Sequence, residues 1–172
     1  LIDTLFEQFP VAPQPIGPEP RVALVVDPYL PQCVRYRVTQ KLEQFAALGW
    51  EVQRLNWNEI EGDSFNKLAF ADVVVFYRVP ALFNVARLMK QCRHAGKTVV
   101  FEIDDLVFDT DLYPEPLGSY GGQITAADHL NLSRGAVLFG QALREAHYAL
   151  ASTKPLAERM APLVRHGSAF LH

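Results

Sequence analysis

The chain has 172 residues, of which 49% are hydrophobic and 20% charged, and its net charge is −3. A domain of this length buries roughly 70% of the surface its unfolded chain exposes, so it needs no disulfide staple. The small negative charge argues against nucleic acid or an anionic membrane as the main partner, and no run approaches the ~20 apolar residues of a membrane-spanning helix. Cys33 and Cys92 form no C-x-x-C pair and read as free thiols in a reducing cytosol. With no basic segment leading into an apolar run at the N-terminus, a cytoplasmic location is expected. The chain starts at Leu1 rather than Met and ends on residues 167–172, which read as a strand just starting, so a piece of a longer protein is expected.

Residues 1–9 carry Ile2, Leu5, Phe6 and Phe9 at helical spacing, and five prolines up to Pro20 make the next segment an extended linker. The division expected is therefore an N-terminal helix and linker over 1–20 and one domain over 21–172. Residues 22–26 form a short apolar run, read as a buried strand ending at Asp27-Pro28. A helix is predicted over 35–48 from the stripe Val38, Leu42, Phe45, Ala46 and Leu48, with Gly49 stopping it. Strands at 51–55 and 72–76 follow, with a short helix over 65–70 between them. A helix over 81–94 stopped by Gly96 leads into a strand over 98–103. A long loop with three glycines and two prolines runs from Leu106 to Ala127, then come a helix over 128–145, a strand over 147–151 and a helix over 154–163. Strands alternating with helices of this length imply right-handed crossovers: an α/β fold, Rossmann-like and doubly wound, with a mostly parallel sheet and helices on both faces.

The strongest functional signal is the run Val99-Val100-Phe101-Glu102-Ile103-Asp104-Asp105, an apolar strand delivering acids. Open α/β sheets bind ligands beyond the carboxyl ends of their strands, which makes Asp104 and Asp105 candidate catalytic residues. The same rim should collect Asp27, Arg78, Ser152 and Thr153, together with Arg35, Tyr36 and Arg37 at the start of the first helix. Cations at a helix N-terminus are locally unfavourable and suggest an anionic ligand or an acidic partner residue. Pairing of Arg35 or Arg37 with Asp27 or Asp104, and of Arg78 with Asp105, is the plain structural alternative. Tyr113 and Tyr120, in the long loop beside the acids, offer ring faces that can stack on a ligand as part of a lid. No two histidines have metal-ligand spacing, and no cofactor is expected.

Several short motifs occur together: Val34-Arg35-Tyr36-Arg37 entering the first helix, Leu48-Gly49-Trp50-Glu51-Val52 leaving it, Val73-Val74-Val75-Phe76-Tyr77-Arg78, Gly96-Lys97-Thr98 leading to Ile103-Asp104-Asp105-Leu106, and Ala149-Leu150-Ala151-Ser152-Thr153. In this order the chain from 21 to 172 resembles the N-terminal half of glycosyltransferase family 4, or group 1, with its GT-B fold. That resemblance implies an acceptor-binding domain facing a second Rossmann-like domain that holds the nucleotide-sugar donor. It implies sugar transfer to a glycan or other acceptor, as in bacterial surface polysaccharide or glycoconjugate synthesis, and peripheral membrane association of the full enzyme. Many members place a His-Asp pair where this chain has Asp104-Asp105, so His-type catalysis is in doubt. A carboxylate there can still bind a sugar hydroxyl or stabilise positive charge developing at the anomeric carbon. This half alone, lacking the donor domain, is expected to be inactive.

Three other readings compete. Asp109-Thr110-Asp111 is a D-x-D, the pattern by which other glycosyltransferases hold Mg²⁺ or Mn²⁺, although such triplets are common by chance. A receiver-type signalling module needs an aspartate at the end of the third strand, where this chain has Tyr77 and Arg78. A plain binding or assembly module would use the proline-rich linker and N-terminal helix to dock on a neighbour. The first βα turn, Asp27-Pro28-Tyr29-Leu30-Pro31, has no glycine and so is no dinucleotide site.

Overall fold

In the computed structural model, which describes residues 12–171, valine-rich runs pair into a single six-stranded sheet. The expected helix over 1–9 lies outside the described residues. The strands are β1 (Val22–Val26), β2 (Val52–Asn56), β3 (Val73–Tyr77), β4 (Thr98–Ile103), β5 (Tyr148–Ala151) and β6 (Ala169–Leu171). All pair in parallel, in the order β2-β1-β3-β4-β5-β6. The near-continuous apolar runs of β1, β3 and β4 suit interior strands of a parallel sheet, where both faces meet other elements.

Five helices connect the strands. The first, α1 (residues 31–47), is α-helical over Pro31–Val34, widens to a π-turn over Arg35–Thr39 and returns to α over Gln40–Ala47. Then come α2 (Ser64–Lys67), α3 (Phe83–His94), α4 (Ala126–Glu145) and α5 (Lys154–Met160), with single 3₁₀ turns at Trp57–Glu59, Leu117–Tyr120 and Ala161–Leu163. Helix α1 starts four residues earlier than its apolar stripe predicts, because Pro31 sits at its first turn, where a missing N–H costs nothing. Helix α4 starts two residues earlier than predicted through a capping box. Thr125 Oγ1 accepts from the Asp128 N–H at 3.1 Å, and Asp128 Oδ2 accepts from the Thr125 N–H at 2.9 Å. Helices α1 and α3 end where Gly49 and Gly96 take φ of 75° and 74°, left-handed values that only glycine adopts without strain.

Alternate strand residues separate the core into two parts. On the first face Ala23, Val25, Val74, Phe76, Val99, Phe101, Ala149 and Ala151 pack against α3, α4, α5 and the segment around α2. The approach is close: at Gly140 of α4 a Cβ would lie 3.0 Å from the Phe108 carbonyl oxygen. On the second face Val22, Leu24, Val26, Val75, Tyr77 and Val100 meet Val38, Leu42 and Phe45 of α1. The expectation of helices on both faces holds, but unevenly. Leu48, placed in the apolar stripe of α1 by its spacing, is exposed. The sheet-facing stripe instead includes Lys41.

The core also contains a neutral histidine. His147 Nδ1 accepts from the Val99 N–H at 3.0 Å. Burial, with His166 and two arginines nearby, pushes its imidazole down to about 4.

Candidate functional site

The order β2-β1-β3 places a topological switch point at β1, since α1 carries the chain one way and every later strand lies on the other side. The crevice outside the carboxyl ends of β1 and β3 is where such a sheet can seat a ligand. Asp27 ends β1, Arg78 follows β3, Asp104 and Asp105 follow β4, and α1 enters alongside.

Helical phase decides which arginine of α1 reaches this rim. Arg35 and Arg37 are two residues apart and cannot share a helix face. Arg37 turns to the sheet and lies with its Nε 3.9 Å from Asp104 Oδ2. Arg35 turns to solvent, where its Nη1 meets Glu43 Oε1 at 2.9 Å on the exposed side of α1. The structure therefore brings Arg37 to the acids and takes Arg35 away from them. The π-turn sets this phase: the Gln40 N–H donates to the Arg35 carbonyl five residues back, adding a residue to the turn. Such one-turn widenings occur often at functional positions.

Arg78 is the centre of the cluster. Its Nη1 donates to Asp105 Oδ2 at 2.6 Å and to Asp104 Oδ1 at 3.3 Å. Asp104 is thus held between two guanidinium groups, with its side chain 19% exposed. Burial opposes the charge on Arg78, but pairing with Asp105 and Asp104 outweighs it, so its pKa is raised. The backbone at Arg78 has φ of 53°, a left-handed conformation costing a non-glycine residue about 1 kcal/mol. Its N–H donates to the Glu102 carbonyl at 2.9 Å, which fixes this corner against β4 and points the guanidinium across the end of that strand.

Beneath the rim lies an ion pair that the periodicity did not reveal. Lys41 Nζ binds Glu102 Oε2, and both side chains are 3% exposed. Burial pulls Lys41 down from the usual lysine range, against the attraction of Glu102, and Arg37 adds to the lowering. Cys33, Arg37 and Lys41 recur at every fourth residue and so occupy one stripe of α1 over the ends of β3 and β4. The buried hydroxyl of Tyr77 lies beside Cys33 and Asp104, and both burial and these neighbours raise its pKa. The one available signal was Glu102 itself, a charge inside an apolar strand that had to find a partner.

On the outer side of the acids is an open cleft of about 290 Å³, lined by Asp104, Asp105, Ser152, Thr153, Leu156 and Arg159. Ser152 Oγ donates to the Asp104 carbonyl at 3.4 Å. Arg159 Nη1 binds Asp109 Oδ2 at 2.6 Å, and Asp109 Oδ1 accepts from the Asp111 N–H at 3.1 Å. The carboxylate that opens the D-x-D is therefore engaged by the chain itself. Among the described residues no group of three or more His, Cys, Asp or Glu is arranged to hold a metal ion, and no helix is long and apolar enough to cross a membrane.

The remaining candidates divide. Asp27 caps its own turn, accepting from the Tyr29 N–H at 3.1 Å. Tyr36 is exposed on α1. Tyr113 packs against the first-face core, and burial raises its pKa, with Tyr120 and then Asp105 adding to the rise. Tyr120 meets the His129 ring edge-on at 6.2 Å, and His129 Nε2 lies 2.8 Å from the Glu115 carbonyl. Loop 106–125 is thereby tied to α4, and its two tyrosines lie on the Asp105 side of the rim. Such an arrangement offers carboxylate acceptors, hydroxyls and guanidinium donors around one opening, a set suited to a hydroxyl-rich or anionic ligand. Comparison of the chain with protein-family models and with curated protein sequences gives no match.

Proposed function

We propose that this chain is the acceptor-binding half of a glycosyltransferase that moves a sugar from a nucleotide-sugar donor to a glycan or other acceptor. The observation that carries the reading is Asp104, held by Arg37 and Arg78 at the switch-point end of β4 and open to the adjoining cleft. A carboxylate held in this way is oriented without being sealed off. It can accept a hydrogen bond from a sugar hydroxyl and stabilise positive charge developing at the anomeric carbon. Asp105 shares the Arg78 clamp and orients it, while Ser152, Thr153, Tyr113 and Tyr120 supply hydroxyl and ring contacts for the acceptor. The donor belongs to a second domain of the full cytoplasmic enzyme, in keeping with surface polysaccharide or glycoconjugate synthesis.

The test is Asp104→Asn in the full-length enzyme. Sugar transfer falls about 100-fold or more, the size of losing one preorganised electrostatic group, with little change in melting temperature. If the cluster is only a structural ion-pair network, the same substitution lowers the melting temperature and leaves transfer unchanged. As a binding test, glycan acceptors raise the melting temperature of the present chain, whereas a nucleotide-sugar alone does not.

A further inference from the structure

A hydroxyl-rich and an anionic ligand both suit the side-chain types at the rim, and the way its charges are paired chooses between them. Arg37 and Arg78 meet the same Asp104, at 3.9 and 3.3 Å, and Arg78 is drawn further onto Asp105 at 2.6 Å. At the outer side of the cleft Arg159 is held by Asp109 at 2.6 Å, and Arg35 has turned away to Glu43. These arginines are therefore matched by carboxylates of the chain itself. The carboxylates are also the more open partners: Asp105 lines the cleft with its side chain 44% exposed, against 14% for Arg78. A phosphate or carboxylate group entering from solvent meets acidic oxygens ahead of the Arg78 guanidinium.

The supply of hydrogen bonds agrees. Asp105 Oδ1 is buried and accepts no hydrogen bond from the described residues, so it lacks a donor. An ionised acid offers acceptors only, whereas an alcohol both donates and accepts. Ser152 Oγ, whose proton goes to the Asp104 carbonyl at 3.4 Å, keeps lone pairs that accept from such a group.

Building on the acceptor-binding reading of this same site, we propose that Asp105 is a specificity-determining residue. By neutralising Arg78 it turns the cleft against anionic groups, so the acceptor seated there is an uncharged, hydroxyl-rich sugar and not a uronate or a phosphorylated one. The two neighbouring acids divide the task. Asp104, held from two sides, orients the acceptor hydroxyl, and Asp105 sets which charge is admitted. Rejecting a competitor through an unfavourable charge is a common route to selectivity.

The test follows the backbone amide signals of Asp104, Asp105, Ser152 and Thr153 in the present chain. It is titrated with neutral gluco-, galacto- and manno-oligosaccharides, with the corresponding uronates, and with inorganic phosphate. A neutral sugar shifts these signals, and the uronates and phosphate leave them in place. Asp105→Asn, a change of charge at nearly constant shape, raises affinity for uronate and phosphate about tenfold or more, a gain that shrinks as salt rises. Binding of uronate or phosphate to the unaltered chain as tightly as a neutral sugar overturns the inference and leaves the acceptor-binding reading standing. An Asp105→Asn chain that gains nothing for anions overturns the role of Asp105. If no sugar, charged or neutral, moves these signals, the acceptor-binding reading falls and the inference with it. The titrations of the unaltered chain decide the charge preference even if the variant folds poorly.

Discussion

The two faces of one sheet are built from the same strands and are covered very differently. The first face lies under α3, α4, α5 and the segment around α2, with small Ala149 and Ala151 letting the helices approach. The second carries α1, a buried charge pair at the carboxyl end and an open apolar groove toward the amino end. The difference teaches that coverage follows the direction in which strands are added, and that, among the described residues, the face carrying one helix holds both the polar cluster and the apolar groove.

The largest expected effect tests the charged end of the second face. Lys41→Ala strands Glu102 in the core and costs about 4 kcal/mol in urea unfolding, whereas Lys41→Met with Glu102→Leu recovers most of that. If the single substitution costs under about 1 kcal/mol, the pair is reached by water and the contrast is overstated. Phe101→Ala, on the closed first face, should cost about 3 kcal/mol by leaving a cavity.

The next comparison uses pH. His147 is neutral in the fold, with its pKa pushed to about 4, so between about 4 and the unfolded value near 6.5 the unfolded chain binds the extra proton. Stability is therefore full above about pH 6.5 and falls as pH drops toward 4, by up to about 1.4 kcal/mol per pH unit. His147→Asn, which keeps an acceptor for the Val99 N–H, flattens that part of the melting-temperature profile.

Gly140→Ala is a smaller change. Helix propensity favours alanine by about 1 kcal/mol, but the new methyl meets the Phe108 carbonyl oxygen at 3.0 Å, so the expected outcome is a net loss of about 1 kcal/mol by calorimetry. The smallest effect is Leu150→Ala, under about 1 kcal/mol by calorimetry for a side chain that lines the apolar groove and stays partly exposed there.

Much of this architecture was readable from residue pattern. Val22–Val26, Val73–Tyr77 and Thr98–Ile103 are continuous apolar runs between turn residues, and Gly49 and Gly96 mark helix ends, so the βα alternation follows from local chemistry. The pairing of Arg78 with Asp105 and of Arg37 with Asp104 follows the structural alternative read from strand ends, whereas the contact of Arg78 with Asp104 was not expected. Arg35 was misplaced because a helix starting at Pro31 and widened by a π-turn has a phase that spacing from residue 35 onward cannot supply. Leu48 was misplaced because the helix ends at Ala47, so Leu48 is its C-cap residue and turns to solvent there. Nothing in the local pattern marked Lys41, because its burial depends on a glutamate 61 residues away.

By itself the sequence determined the parallel βα class and the delivery of acids to the end of β4, because apolar runs, glycine stops and charge placement act over a few residues. Strand order, the placement of α1 on the second face and the Arg37–Asp104–Arg78 geometry were decided only in three dimensions. They depend on which strands pair, and residues far apart in the chain settle that by burying apolar area and matching charge across the assembled sheet.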